Sequence, residues 1–529
     1  MDRAPARQSF QDALFSLADE SAIEEASRFF MEAAATGQPP DFSLIERLCA
    51  TALTGENGPL RRAAVVSIYK NIIEPLCDDF SASGAELTSR VLARMLTILR
   101  QRSEGKAVHE LLLRLGFHDE EQLLARYRLV KQQRPLPPAL RNAIRKILIL
   151  SRVTVGADVA ITSILINRLR RSFPAAELIV FGPQHLAELF AGLPNVHWTK
   201  VHYQRDGGLV GRLVYFTSLY HLLEKERQGL AAGRTLLVDP DSRLSQLGLL
   251  PFVDDLWYCY FPSREFAQDS SHRLSRLAND WLNDLLNEMR QIPPSIAIRP
   301  VHQQAVRTFL AAFPDDTAKI VINLGVGNDA GKRLPDPFEE ELLSLLLHHD
   351  KTLVILDSGC HPEERERAAR LMAAMESRGL VTARLSEKDL TRMHPVFAKG
   401  LICVQGGIGM LSALIDQADI FFGYDSCCQH LATARQTRTV ICFAGAINDR
   451  FFCRWQPLDN AGRTITVRMT DTDRLSDSDL RRLAGKFSQL IIRHAGLERH
   501  LRKTDNTEGN IFVSSALGIG PKPSDSTNS

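Results

Sequence analysis

The chain has 529 residues, 44% hydrophobic and 24% charged, and its 64 Lys and Arg against 62 Asp and Glu leave a formal charge of +2. At roughly 150 residues per domain this implies two to four ordinary globular domains, with no overall pull toward nucleic acid or an anionic membrane. Nine cysteines without a C-x-x-C pair, a start (MDRAPARQSFQDALF) lacking a signal-peptide core, and apolar runs far too short to span a bilayer exclude disulfide-framework and integral membrane classes. The expectation is a cytoplasmic protein, at most peripheral at an inner membrane.

From Ser9 to about Leu129 apolar residues recur at spacings of three and four, as in Leu44, Ile45, Leu48 and Ala52, or Val91, Leu92, Met95, Leu96 and Leu99. Such rows share one face of a helix. Breakers separate them at Gly37-Gln38-Pro39-Pro40, Gly55-Glu56-Asn57-Gly58 and Ser81 to Gly84. Six or seven short helices in a bundle are predicted for residues 1–131. Residues 132–145, with three prolines in QQRPLPPAL, are predicted as a linker.

After Arg145 strands and helices alternate. Lys146 to Leu150 is a continuous apolar run, as in a parallel strand covered on both faces. Strands are also predicted at Glu177–Phe181, Val196–Thr199 and Thr235–Val238, with helices at Val159–Phe173, Gln184–Ala191 and Leu213–Gln228. A second round follows the break at Ile292-Pro-Pro-Ser295. Its predicted strands are Ile320–Asn323, Thr352–Leu356, Ile420–Gly423 and Val440–Phe443; its helices are Pro337–His348, Glu363–Ser377, Gln429–Ala434 and Ser476–Ala495. This alternation predicts two doubly wound parallel domains, residues 146–295 and 296–500, with a ligand cleft at the strand ends between them. The polar stretch 503–529 is expected to be disordered.

Four segments carry candidate chemistry. Gly325-Val-Gly-Asn-Asp-Ala-Gly-Lys332 is no P-loop, because five residues separate Gly325 from Gly331 and Arg333 follows the lysine. It is either a flexible turn or a loop whose N–H groups and single ammonium suit a diphosphate. In Phe421 to Ala434 a strand runs into Asp425 and Ser426, good caps for a helix whose free N–H groups favour an anion; a plain capped helix with a satisfied His430 is the alternative. Asp158 stands at a helix start after the first strand and is either a cap or a proton acceptor. Asp239-Pro-Asp-Ser-Arg243 ends another strand, with turn chemistry as its alternative. Gly406-Gly407-Ile408-Gly409 lacks a third correctly spaced glycine for a dinucleotide fingerprint. The spacings of Cys403, Cys427, Cys428, Cys442 and Cys453 fit no zinc pattern.

Together these segments resemble glycosyltransferase family 9, the ADP-heptose:lipopolysaccharide heptosyltransferases, over about residues 146–495. KILIL followed by DVAITSILINRLRRSFPAAEL is similar to the family's strand, Gly-Asp-Val loop and helix. INLGVGNDAGKRLP is similar to its Lys-Arg-Trp-Pro loop, LDSGCHPEERERAARL to its glutamate-led helix, and ADIFFGYDSCCQHLATA with VICFAGAINDRFFCRWQPL to its Asp-Ser/Thr-Gly-x-x-His-Leu turn and next loop. The resemblance implies the GT-B arrangement, two Rossmann-like domains facing a cleft, here preceded by an all-α domain that the ordinary member lacks. It implies Asp158 as general base; Gly325, Gly327, Asn328 and Lys332 at the donor phosphates; and Glu363 or Glu364 at the ribose. It also implies Asp425, Ser426, Cys427, Cys428 and His430 at the diphosphate helix, Gly445 in the next loop, and Arg243 and Asp239 toward the acceptor. Ala157 stands where the family has glycine before the aspartate, Cys427 replaces the glycine of the diphosphate turn, and Leu334 replaces the common tryptophan.

The leading expectation is an inverting, metal-independent transfer of a heptose-like sugar from a nucleotide-sugar donor, an ADP-sugar foremost, to a hydroxyl of a glycan, lipid-linked or protein acceptor. No other cofactor and no nucleic-acid partner are expected. The alternative is a non-catalytic GT-B-like scaffold whose helical domain binds a protein partner. A sugar-nucleotide epimerase on the same architecture is a third reading.

Overall fold

The apolar runs assemble as two parallel sheets in the computed structural model, which describes residues 17, 19–54, 58–132, 135–190, 192–203, 207–266, 272–327, 329–392, 397–445, 447–458, 461–497, 511–513 and 520–521. The first sheet contains β1 (Lys146–Leu150), β2 (Glu177–Gly182), β3 (Val196–Lys200), β4 (Thr235–Asp239) and β5 (Tyr258–Tyr260), ordered β3-β2-β1-β4-β5. All neighbours are parallel, with Ile147 opposite both Leu178 and Leu236. The order reverses between β1 and β4, so the loops leaving those two strands diverge and leave a crevice.

The second sheet contains β6 (Ala318–Asn323), β7 (Thr352–Asp357), β8 (Thr382–Ser386), β9 (Gly400–Gln405), β10 (Ile420–Tyr424), β11 (Thr439–Ala444), β12 (Thr464–Met469), β13 (Ile511–Val513) and β14 (Gly520–Pro521). Its order is β14-β13-β12-β11-β10-β6-β7-β9-β8, parallel except for the β13–β14 pair, and its switch point lies between β6 and β10. Part of the stretch expected to be disordered is therefore strand: Ile511-Phe-Val513, a run of strand-favouring residues, adds a rung to β12. The rest of 503–529 lies outside the described residues.

Alternation along β1 shows where the cores are. Ile147 and Ile149 join a cluster with Leu165, Trp281, Leu411, Leu431 and Phe421 that runs on into the second sheet. Leu148 and Leu150 face the other way, together with Ile179, Phe181 and Leu237, and pack with Leu48, Ile72, Leu96, Leu112 and Leu124 of the N-terminal helices. The helical region is thus all-α, as expected, but it is no detached domain. It shares one core with the second face of the first sheet, to which Phe216, Leu219 and Leu223 also contribute.

Its helices begin at local caps: Asp19 accepts from Ala22 N at 2.8 Å, Ser81 from Gly84 N at 3.0 Å, and Asp119 from Gln122 N at 2.8 Å. The last of these, Glu120–Val130, sends buried Arg126 onto Asp255 (2.7 Å), the Gly248 carbonyl (3.0 Å) and the face of Tyr258 (4.7 Å). The stretch expected to be a linker is likewise docked. The Leu136 N–H donates to the Leu285 carbonyl at 2.8 Å, and Ile144 is fully buried. The described helices include none long and apolar enough to cross a membrane.

Candidate functional site

Between the two sheets lies a cavity of about 800 Å³, lined by loops from the carboxyl ends of strands of both domains. On the C-terminal side, Asn323 ends β6 and Ser426 follows β10, on either side of the switch point. Ser426 caps the helix Cys427–Ala434, its Oγ accepting from Cys428 N at 3.3 Å. The remaining N–H groups of that first turn give the wall a positive electrostatic end.

Lys332 reaches the same wall from the loop after β6. Its Nζ donates to Asp425 Oδ2 at 2.9 Å and sits 4.6 Å from the centroid of Phe451. Burial works against its charge, but Asp425 outweighs this and holds the ammonium above its usual range. Asp425 also accepts from Gln429 Nε2 at 2.7 Å. His430, behind the turn, is buried; desolvation lowers it to about 4, so it is neutral at physiological pH.

Gly325, Gly327, Lys332, Glu364, Asp425, Ser426, Cys427, Cys428 and His430 all line the cavity. Asn328 lies outside the described residues. The structure places the two glutamates differently. Glu363 is exposed, whereas Glu364 lines the cavity with its carboxylate accepting from Cys360 N (3.0 Å), His361 N (3.2 Å) and Gly327 N (3.3 Å). Gly445 is not on the wall. It has φ +93°, and a Cβ there would stand 2.3 Å from the Gly331 carbonyl oxygen, so its smallness lets the Lys332 loop pack against β11. The vicinal thiols of Cys427 and Cys428 are 3.8 Å apart. Cys427 faces the other domain, where a Cβ on Gly156 would come within 3.2 Å of the Cys427 Cα.

The N-terminal side differs from the expectation. Asp158 is fully buried, on a wide helical turn (Asp158–Thr162), and is not among the cavity-lining residues. Its carboxylate accepts from Ser151 Oγ (2.6 Å), Arg152 N (2.8 Å) and Thr162 Oγ1 (2.8 Å) and pairs with His185 Nε2 (2.9 Å). With four partners and no exposed surface, it offers no lone pair to an incoming hydroxyl. The general-base role expected of it does not match this geometry. His185, 14% exposed and lining the cavity, stands in front of it.

Asp239 is likewise fully buried, accepting from Ser242 N (2.7 Å) and the Tyr258 hydroxyl, and it faces no acceptor site. Arg243 does line the cavity. Asp241, its neighbour in the same loop, pairs with Arg264 and lies 3.8 Å from Arg152, while accepting from Ser263 Oγ and Tyr260 OH, both at 2.8 Å. Burial opposes its charge, but the two guanidiniums hold its carboxyl below the usual range.

The helical region supplies a third wall: Glu74 and Asp78 line the cavity. Burial lifts the Asp78 carboxyl to about 6, against the pull of Arg264, Lys332 and Arg243. The turn after it touches the C-terminal domain. Asn448 Nδ2 donates to the Asp78 carbonyl (3.4 Å), Arg450 pairs with Asp79 (3.4 Å), and Phe80 packs on Phe451 (centroids 6.4 Å apart). Sequence reasoning missed His185, Glu74 and Asp78. His185 carries one signal, a titratable residue just past the carboxyl end of a predicted strand. Among the described residues no group of three or more His, Cys, Asp or Glu is arranged to hold a metal ion.

No family model and no curated protein matches the chain. Solved structures do resemble it. A family 9 glycosyl transferase from Veillonella parvula is 13% identical with a TM-score of 0.46, over 67% of this chain and 97% of that one. The ADP-heptose lps heptosyltransferase II of E. coli is 15% identical with a TM-score of 0.45, over 66% and 99%. A putative UDP-N-acetylglucosamine 2-epimerase from Listeria monocytogenes is 11% identical with a TM-score of 0.34, over 68% and 92%. Roles for individual residues rest on this chain's own geometry.

Proposed function

We propose that the protein is a glycosyltransferase that moves a sugar, heptose-like by the motif resemblance, from a nucleotide-diphosphate donor to an acceptor hydroxyl, with inversion. The observation that carries this reading is the convergence of Lys332 and the first turn of Cys427–Ala434 at the switch point of the second sheet, across an 800 Å³ cavity from the switch point of the first. Backbone N–H groups at a helix start with one adjacent ammonium suit a diphosphate in the ground state, and suit it more as negative charge grows on the leaving group. Neither step calls on a protein-held metal ion. Asp425 keeps Lys332 charged and aimed until the donor arrives and competes for it.

In this reading the donor lies on the C-terminal domain, its nucleoside toward Glu364 and the loop at Gly325 and Gly327. An ADP-sugar is the foremost donor, again by resemblance. The acceptor, a glycan, lipid-linked or protein hydroxyl, enters between Arg243 and the wall formed by Glu74 and Asp78.

Calorimetry with ADP, UDP and GDP is the direct test. One of the three is expected to bind, and Lys332→Gln is expected to weaken it roughly tenfold or more, the scale of a lost charge-assisted hydrogen bond. If none binds the wild-type chain, the non-catalytic scaffold reading replaces this one. Conversion of a donor sugar with no acceptor and no release of nucleoside diphosphate would instead make the protein an epimerase.

A further inference from the structure

We propose that His185 is the catalytic proton acceptor of this cleft and that Asp158 is the residue that positions it. The inference rests on the glycosyl-transfer reading and adds the group on which the N-terminal half would act.

His185 opens the short helix after β2, while Asp158 follows the loop after β1. Because β1 and β2 are neighbours, the two strand ends bring together residues that are 27 apart in sequence, with Nε2 2.9 Å from Oδ2. The carboxylate cannot turn away, since Ser151, Arg152 N and Thr162 occupy its other positions. A carboxylate fixed in this way accepts the Nε2 proton and keeps the imidazole in the tautomer whose Nδ1 carries the free lone pair. Nδ1 has no hydrogen-bond partner among the described residues. The buried acid thus orients the imidazole and stabilises the imidazolium that forms; the ring, at the cavity surface, meets the substrate.

The acceptor hydroxyl gives its proton to His185 Nδ1 as its oxygen bonds to the anomeric carbon. The bond from that carbon to the diphosphate oxygen breaks, and its electron pair leaves with the nucleoside diphosphate toward Lys332 and the helix N–H groups. The imidazolium then releases its proton to solvent. His185 and the Lys332 and Ser426 site line one cavity, and a single displacement in which the hydroxyl attacks the face opposite the departing diphosphate would give inversion.

The test measures nucleoside diphosphate released from ADP-heptose, ADP-glucose, UDP-N-acetylglucosamine and GDP-mannose by the full-length protein, with water as the accepting hydroxyl. His185→Ala is expected to lose about 10²–10⁴-fold in release rate while keeping nucleoside-diphosphate affinity within about twofold. Added imidazole is expected to restore part of that rate, a response that no merely structural role gives. In Asp158→Asn the amide would present its own N–H to Nε2 and reverse the tautomer. Its kcat is expected to fall with KM little changed, and imidazole is expected not to restore it. Wild-type turnover in His185→Ala, or loss of its rate with no gain from imidazole in a variant of unchanged melting temperature, overturns the assignment. Release from none of the four donors by the wild-type protein overturns the glycosyl-transfer reading itself, a separate outcome. If Asp158→Asn does not fold, the His185→Ala and imidazole pair decides alone.

Discussion

The two sheets present their strand ends to one cavity and use them in opposite ways. Around the first sheet the carboxylates already have their partners: Asp158 has four, Asp241 has two guanidiniums and two hydroxyls, and Asp239 is sealed beneath Tyr258 and the Ser242 N–H. Around the second, Lys332 holds one carboxylate and the helix at Cys427 opens with N–H groups beyond the one that Ser426 satisfies. A fully satisfied buried network is rigid and gives up no partner to a ligand. A lone ion pair beside a helix start can exchange partners. On the proposed reading, the N-terminal half would be the frame that fixes a base, and the C-terminal half the surface on which a charged donor is taken up.

The contrast breaks first if the frame proves dispensable. In Asp241→Ala the guanidiniums of Arg152 and Arg264 stay buried without their carboxylate, a change that costs about 3–5 kcal/mol. Burial already lowers Arg152 to about 10. A melting temperature several degrees below wild type is expected, measured by calorimetry. An unchanged midpoint would mean that this network is not what holds the first sheet's loops.

The joint between the halves is sharpened by a pair of variants. Phe80 has φ +50°, an unfavourable value for a bulky side chain, and it is held there by burial against Phe451 and beneath the guanidinium of Arg454 (5.9 Å). Truncation to alanine is expected to cost about 3–5 kcal/mol. Arg450→Ala removes an ion pair in which both side chains are about half exposed, and is expected to change stability by less than about 1 kcal/mol. If thermal unfolding ranks the two the other way, the helical wall is held by charge and not by packing.

Most of this architecture was legible because a parallel strand buried on both faces writes itself as an unbroken apolar run. Lys146–Leu150, Thr352–Leu356 and Ile420–Gly423 all lie within strands. The strands not foreseen include β5, three residues long, and β8 and β12, whose partly exposed positions dilute the apolar signal. The wall that carries Lys332 and Ser426 was legible for a similar reason. Gly325, Asp425 and Ser426 shape a loop or a cap through their own local chemistry. The orientation of Asp158 was not, because it depends on Ser151, Thr162 and above all His185, which only the β1–β2 pairing brings near. Nor does any local pattern in Glu74 or Asp78 reveal that a helix outside the α/β region closes the cleft.

The finest test of the contrast is its dependence on pH. Burial lifts the Asp239 carboxyl to about 6, against the hydrogen bonds from Ser245, Tyr258 and the Ser242 N–H that favour its charged form. An unfolded aspartate titrates near 3.9, so the folded protein holds this proton more tightly than the unfolded chain does. The stabilising contribution is therefore fully present below about pH 4 and is lost as the pH rises through about 6. Asp239→Asn keeps the shape and an acceptor for Ser242 N but cannot ionise. Measured as the difference in unfolding free energy between variant and wild type, it is expected to gain about 2 kcal/mol on going from pH 4.5 to 7.5. A difference that stays flat across that range would mean that water reaches Asp239, and that the first sheet's strand ends are as open to exchange as those of the second.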